Sequence, residues 1–308
     1  MRWIEAAIET KSEEIDRLCV ALETLGVEGV CIEDETDFQA FLENNRQYWD
    51  YVDEKLSDYY SGLSRIKFYL SDDEAGRETL DAVRSELKRE IAVTYVDDAD
   101  WENGWKENFP PIKIGERLLV VPEWLEPETE DRAMLCLEPG IAFGTGNHAT
   151  TRMCLTALEA MDVTGKKVLD LGCGSGILGL AALVLGAESV KGCDVDPKAP
   201  DAARANAALN GIAGEQYQIY AGDILSDSGV RKKLGGGYDI VLANIVADVI
   251  VSLSGMFREF LAPEGLIICS GIIDERVSEV EAAMKKNKLH ILRHLHEEEW
   301  HCYILKAE

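Results

Sequence analysis

Between residues 167 and 286, short apolar runs alternate with longer amphipathic stretches. The runs 167–171, 189–194, 216–221, 238–243 and 265–270 have the length and β-branched content of buried strands. The stretches 177–185, 197–210, 246–261 and 274–286 between them carry helical spacing. This alternation predicts a parallel sheet with helices on both faces. Two more strand-like runs, 288–295 and 300–305, are separated only by His296-Glu-Glu-Glu, the spacing of a hairpin, so one terminal strand runs antiparallel. Asp196-Pro197 is a good helix start, but Pro200 follows three residues later and predicts a ragged beginning nearer Asp201.

The first hundred residues read differently. Strands are expected at 3–9, 27–32, 65–70 and 93–96. One helix runs from a Ser12 cap to about Leu25, with Ile15, Leu18, Cys19 and Leu22 as its apolar stripe and Gly26 closing it. A second runs from Asp72 or Asp73 to about Ile91. The order β-α-β-β-α-β is that of a small ferredoxin-like α+β domain. The polar, aromatic segment 43–62 reads as a loop or short helix. Trp101 and Trp105 are four apart, as on one helix face, and Pro110-Pro111 ends that helix. Residues 112–114 and 117–121 flank Gly115 as a hairpin. The expected division is therefore a domain at 1–96, a linker at 97–122 and a larger α/β domain at 123–308.

Composition narrows the classes of function. The chain has 308 residues, 46% of them hydrophobic, enough for two cored domains. No segment approaches the roughly 18 apolar residues of a membrane span, and Met1-Arg-Trp-Ile-Glu has no signal-peptide core. Eight cysteines occur without a C-x-x-C pair, which points to reduced thiols in a cytoplasmic protein rather than a zinc or redox motif. The net charge of −26, a little more than half of it in the first hundred residues, repels phosphate backbones and attracts basic partners. Its plainer role is solubility. Direct nucleic-acid binding and membrane association are not expected, and nothing indicates more than a monomer.

The densest chemistry lies in Val168-Leu-Asp-Leu-Gly-Cys-Gly-Ser-Gly-Ile-Leu178, followed by Gly192-Cys-Asp-Val-Asp-Pro197. An apolar run ends in Asp170 and breaks into Gly172, Gly174 and Gly176; a second ends in Asp194. Glycines let a ligand lie against bare backbone. A carboxylate at the next strand end can accept both hydroxyls of a ribose. The ligand is an adenosine-containing cofactor, and two compete. Read from Gly174 through Gly176 and Gly179, the loop also satisfies the dinucleotide pattern of NAD enzymes. Two features favour S-adenosylmethionine. Asp170 stands two residues before the first glycine, where it can reach the methionyl ammonium. The run 238–243 ends in Asn244, an amide over the same crevice that can hold an amine; its plainer role is a turn residue.

A second motif is Glu138-Pro-Gly-Ile-Ala-Phe-Gly-Thr-Gly-Asn-His-Ala-Thr-Thr-Arg152, ahead of a helix to about Met161. Helix N-termini bind carboxylates, so the donor's carboxylate is a plausible guest, with Thr150 or Thr151 assisting. Thr150 alone reads better as a cap. Phe143 packs on the cofactor or in the core. Asp223, after 216–221, accepts the adenine amine or is a solvated turn acid. His148 reads as a support for the threonine turn, and Cys173 as a small residue between glycines rather than a nucleophile.

With these blocks in view, the chain resembles the methyltransferase family that modifies protein eleven of the large ribosomal subunit. The resemblance rests on the two motifs above, on Ala243-Asn-Ile-Val-Ala247, and on Trp3-Ile-Glu, Gly29-Val-Cys-Ile-Glu-Asp34, Asp100-Trp-Glu-Asn-Gly-Trp-Lys106 and Glu299-Trp300, so it spans essentially the whole chain. Asn147 and Ala149 depart from it, where the family usually has Thr and Pro. The resemblance implies an N-terminal substrate-recognition domain, a flexible linker and a seven-stranded Rossmann-like methyltransferase domain. It implies methylation of lysine side chains and of the α-amine. Carried over by motif, Thr151, Gly172, Asp194 and Asn244 form the cofactor site, to which the residue reading adds Gly174, Phe143 and Asp223, with Asn244 as the residue that faces the acceptor amine.

Overall fold

A computed structural model describes residues 2–44, 54–97, 109–126, 131–139, 146–212 and 214–308. The chain divides into two compact units, Met1–Asn108 and Phe109–Glu308. Phe143, Trp101 and Trp105 lie outside the described residues.

The first unit has the expected order. Strands β1 (Arg2–Glu9), β2 (Val30–Asp34), β3 (Ser64–Ser71) and β4 (Ala92–Asp97) form an antiparallel sheet in the order β2-β3-β1-β4. Alternation on β1 and β3 buries Ile4, Ala6, Ile8, Ile66, Phe68 and Leu70 on one face. Helices α1 (Ile15–Thr24) and α4 (Glu74–Leu87) cover that face, α1 with Ile15, Leu18 and Leu22, α4 with Leu80 and Val83. Between them lie α2 (Glu35–Asn44) and the short α3 (Glu54–Tyr60).

Several boundaries move for local reasons. Ser12 does not cap α1; it opens a 3₁₀ turn and donates to Asp34 Oδ2 at 2.6 Å. At the other end, Gly26 takes φ +91° and Val27 N–H donates back to Leu22 O, so Val27 turns into the core and β2 begins three residues late. Asp34 caps α2, accepting from Thr36 N at 3.0 Å and Asp37 N at 3.1 Å. α4 stops at Leu87 because Lys88 adopts the left-handed conformation.

The second unit opens with a three-stranded sheet of β5 (Ile112–Ile114), β6 (Leu118–Pro122) and β7 (Ala133–Leu137). β5 and β6 form the expected hairpin, and β7 pairs parallel to β6. The buried Glu159 side chain ties down the hairpin turn by accepting from Glu116 N and Arg117 N.

The large sheet has seven strands: β8 (Lys167–Leu171), β9 (Ser189–Asp194), β10 (Tyr217–Ala221), β11 (Tyr238–Asn244), β12 (Leu261–Ile273), β13 (Leu289–Glu297) and β14 (Trp300–Ala307). Their order is β10-β9-β8-β11-β12-β14-β13, with β14 alone running against the other six. Helices α5 (Ala149–Glu159), α6 (Ile177–Val184), α7 (Ala199–Leu209), α8 (Ser228–Leu234), α9 (Ala247–Leu253), α10 (Phe257–Phe260) and α11 (Val277–Lys286) accompany it. β8 buries Val168 to Leu171 without a break, as a strand covered on both faces must.

Two expectations fail here. α7 begins at Ala199, before Pro200 rather than after it. Pro200 falls in the first turn, where its missing N–H had no partner to lose. The stretch 246–261 is not one helix: α9 ends at Leu253 and the chain turns through Ser254–Met256 into α10. α8 and β7 were not evident from apolar spacing, being short and flanked by polar turns.

Candidate active site

The strand order reverses between β8 and β11, so the loops leaving these two strands diverge and open a crevice at their C-terminal ends. Gly172 follows β8 on one side, and Asn244 ends β11 on the other. Asp194 ends β9, the neighbour of β8.

The glycine loop is built against its own protein before any ligand. Gly172 takes φ +70°, and a Cβ there would lie 2.2 Å from Ile245 Cγ2. A Cβ on Gly176, φ +82°, would lie 2.2 Å from Tyr217 Oη. Packing alone thus requires both glycines, a demand the sequence reading had placed on the ligand. Gly172 and Gly174 remain partly exposed while Leu171, Cys173 and Ser175 are buried, so bare backbone does line the crevice.

The loop's donors are nearly spent. Gly172 N and Cys173 N donate to Cys193 O, at 2.8 and 3.1 Å, and Gly176 N donates to Cys173 O. Gly174 N donates to Asp194 Oδ2 at 2.8 Å, Ile177 N to Ser175 Oγ and Gly179 N to Asp170 Oδ2 at 3.0 Å. A dinucleotide pyrophosphate needs such N–H groups free at the helix start. Here most are taken, and two acidic side chains already face the start of α6. That disfavours NAD and fits a nucleoside without phosphates.

Asp194 fits its expected task. It is half-buried at the strand end and held by two backbone donors, Gly174 N on Oδ2 and Asp196 N on Oδ1 at 2.9 Å. A fixed carboxylate with remaining lone pairs suits a vicinal diol.

Asp170 does not sit as expected. It is 1% exposed and turned inward onto Gly179 N, which gives no support to contact with a methionyl ammonium. Burial raises its carboxyl to about 7; the Gly179 hydrogen bond opposes this and the Asp194 charge adds to it. Over the window from about pH 4 to 7 the folded chain therefore keeps a proton that the unfolded chain has released. Stability from this group is whole below that window and lost as pH rises through it, by up to about 4 kcal/mol. Asp170→Asn removes the titration. Its stability relative to the parent should rise between pH 5 and pH 8 in urea unfolding; an equal difference at both values would refute the assignment.

Across the crevice, Asn244 Nδ2 donates to Thr151 Oγ1 at 3.2 Å. Thr151 is fully buried in the first turn of α5. His148 caps α5: its Nδ1 accepts from Thr150 N at 3.3 Å and pairs with Thr150 Oγ1 at 2.8 Å. Burial, and then the charge of Arg152, hold the His148 imidazole below its ordinary value. Trp300 meets its ring edge-on at 4.9 Å. The support role read for His148 is the geometry observed, but the cap read for Thr150 is not: His148 is the cap and Thr150 lies one residue inside the helix, donating to it. Ala149 is buried as the first helical residue, and the Asn147 carbonyl accepts from Arg152 Nη1.

Asp223 follows β10, whose last residue pairs with Asp194. Its Oδ1 accepts from Leu225 N at 2.8 Å and its Oδ2 from Ser226 Oγ at 2.7 Å, and these bonds hold its carboxyl below the usual range. Sequence reasoning missed the Thr151–Asn244 bond because its partners are 93 residues apart. It also missed Tyr217, whose buried hydroxyl sits under the glycine loop without a hydrogen-bond partner among the described residues.

The family model described as "Ribosomal protein L11 methyltransferase (PrmA)" matches residues 2–308. A ribosomal protein L11 methyltransferase of Heliobacterium modesticaldum is 38% identical over 97% of this chain and 96% of its own. That of Alkaliphilus metalliredigens is 36% identical over 100% and 98%. The crystal structure of the ribosomal protein L11 methylase from Lactobacillus delbrueckii subsp. bulgaricus superposes with a TM-score of 0.58 at 32% identity, covering 64% of this chain and 98% of that one. A match across both units places the chain in the ribosomal protein L11 methyltransferase family.

Proposed function

We propose that this chain transfers methyl groups from S-adenosylmethionine to lysine side-chain amines and the α-amine of ribosomal protein L11, with Asn244 facing the acceptor amine. The reaction class rests on the family; the observation that carries the site is Asn244, fixed by Thr151 across the crevice from Gly172 and Asp194.

The residues divide the work. Asp194 would hold the ribose hydroxyls, Gly172 and Gly174 would present backbone to the nucleoside, and Asp223 would use the lone pairs its turn leaves for the adenine amine. Phe143 stays a proposed contact by motif alone. Thr151 acts through Asn244. The cofactor, when bound, supplies an electrophilic methyl carbon on sulfonium.

The chain must supply a neutral amine and its alignment. A free lysine, with pKa near 10.4, costs about 4–5 kcal/mol to deprotonate at neutral pH. A dry, uncharged pocket lowers that cost by disfavouring ammonium. Asn244 suits this need. With Nδ2 committed to Thr151, Oδ1 is the atom that can accept from the amine, and it carries no charge to retain the proton. Alignment contributes much of the remaining acceleration.

The acidic N-terminal residues support a recognition role for the first unit towards a basic acceptor. With a ribosomal protein as acceptor, the enzyme works in the cytoplasm, and we take it as a monomer. No helix among the described residues is long and apolar enough to cross a membrane.

Mass spectrometry of purified L11 after incubation with the full chain and S-adenosylmethionine tests the reading. Mass increments of whole methylene units, located on lysines and the N-terminal amine, are expected. Unmodified L11, or methylation confined to other side chains, would contradict it.

A further inference from the structure

Four of the five histidines fall between residues 290 and 301, on the terminal hairpin. His296 on β13 lies directly opposite His301 on β14, and His294 opposite Tyr303. Residues two apart on a strand share a face, so these four rings line one side of the hairpin near its tip. β12 ends beside β14 with Ile273 opposite Trp300, which brings Asp274 to the same place; Asp274 N donates to Glu299 O at 3.1 Å.

The ligating atoms converge. His301 Nε2 lies 2.6 Å from Asp274 Oδ1 and His296 Nε2 3.5 Å from the same oxygen. One donor atom from each of the three residues falls within 4.8 Å of the others. A tetrahedral ion with bonds of about 2.0–2.1 Å needs its ligand atoms about 3.3 Å apart. Asp274 and His296 are more than half exposed and can adjust to that spacing, Asp274 by drawing back from His301, while His301 is 10% exposed and fixed.

His301 is also oriented from behind. Its Nδ1 lies 2.7 Å from His294 Nε2. The His294 ring stacks on Tyr303 at 4.5 Å, and Tyr303 Oη donates to Glu281 Oε1 at 2.9 Å. In the ion-free protein His301 Nε2–H donates to Asp274 Oδ1; an ion would take the place of that proton, and His294 Nε2 can then accept from His301 Nδ1–H and hold the ring in place. This is the outer support that metal-ligating histidines carry. Glu297, Glu298 and Glu299 at the hairpin tip add negative potential.

We propose that Asp274, His296 and His301 bind a divalent transition ion, zinc or a close relative such as cobalt or nickel, with His294 as the positioning residue. Two imidazoles and one carboxylate suit these ions better than magnesium or calcium. The remaining coordination positions are open to water. Trp300, next to His301, packs on the His148 cap of α5, so a bound ion would also stiffen the support of that helix.

The test uses untagged full-length protein, stripped with chelator and titrated with cobalt(II) and zinc. One equivalent should bind and raise the melting temperature. The cobalt spectrum should show visible ligand-field bands without sulfur charge transfer. His296→Ala, at an exposed position, should remain folded by circular dichroism and lose the site. His294→Phe should bind about 10–100-fold more weakly. His290→Ala, outside the cluster, should bind as the parent does. No saturable binding, a thiolate spectrum, or undiminished binding in His296→Ala would overturn the proposal.

Discussion

Asp194→Ala should weaken S-adenosylmethionine binding by about 10²–10⁴-fold while leaving the protein folded. Two hydrogen bonds from ribose hydroxyls to a charged acceptor contribute about 1.5–3 kcal/mol each. A further loss comes from the loop itself, because Gly174 N and Asp196 N both donate to this carboxylate. Asp194→Asn keeps the shape and one acceptor oxygen, so it should fall between the two. Calorimetric titration, with circular dichroism as the fold control, reads the effect. An affinity within threefold of the parent would mean that the nucleoside does not meet the end of β9.

Asn244→Ala should lower the rate of methyl transfer by about 10²–10³-fold, the range for deleting one well-placed hydrogen-bonding group at a reacting centre. Cofactor affinity should change far less, because Asn244 lies across the crevice from Asp194 on a different strand. Asn244→Asp gives the sharper test. A carboxylate beside the acceptor amine raises that amine's pKa. The neutral amine is then scarcer at a given pH, so the rate of this variant should climb towards the parent's as pH increases. Single-turnover methylation across a pH series measures it. A flat ratio of variant to parent rates would place Asn244 away from the amine.

The parts of the fold that were legible are those where burial is continuous. β8 and β11 read as strands because both faces are largely covered, and 177–185 read as a helix because it starts on glycines and is apolar throughout. The terminal hairpin was legible from the short polar gap alone. What failed depends on turns closed by distant groups. Ser12 reads as a cap until Asp34, 22 residues on, takes its hydroxyl. The break between α9 and α10 leaves no mark in apolar spacing, since Leu253, Phe257 and Phe260 are all buried.

At the site, the chain motif located Gly172, Asp194 and Asn244 but not what each touches. Asp170 and Asp194 look alike as acids at strand ends, yet one is 1% exposed on Gly179 and the other opens to the crevice. That difference comes from where α6 packs, which no single motif records. The glycine pattern by itself left two cofactors open, while the wider motifs and the family resemblance pointed to S-adenosylmethionine; the structure adds a physical reason. It turns on which backbone N–H groups are already bonded, and Cys193 O and two carboxylates decide that.

A crystal structure of the full chain with S-adenosylhomocysteine tests the central claim most directly. The account predicts density at the C-terminal ends of β8, β9 and β11, with both ribose hydroxyls on Asp194 and the thioether sulfur on the Asn244 side. A homocysteine end pointing away from Asn244, or a nucleoside bound elsewhere with the Gly172 loop bare, would contradict it.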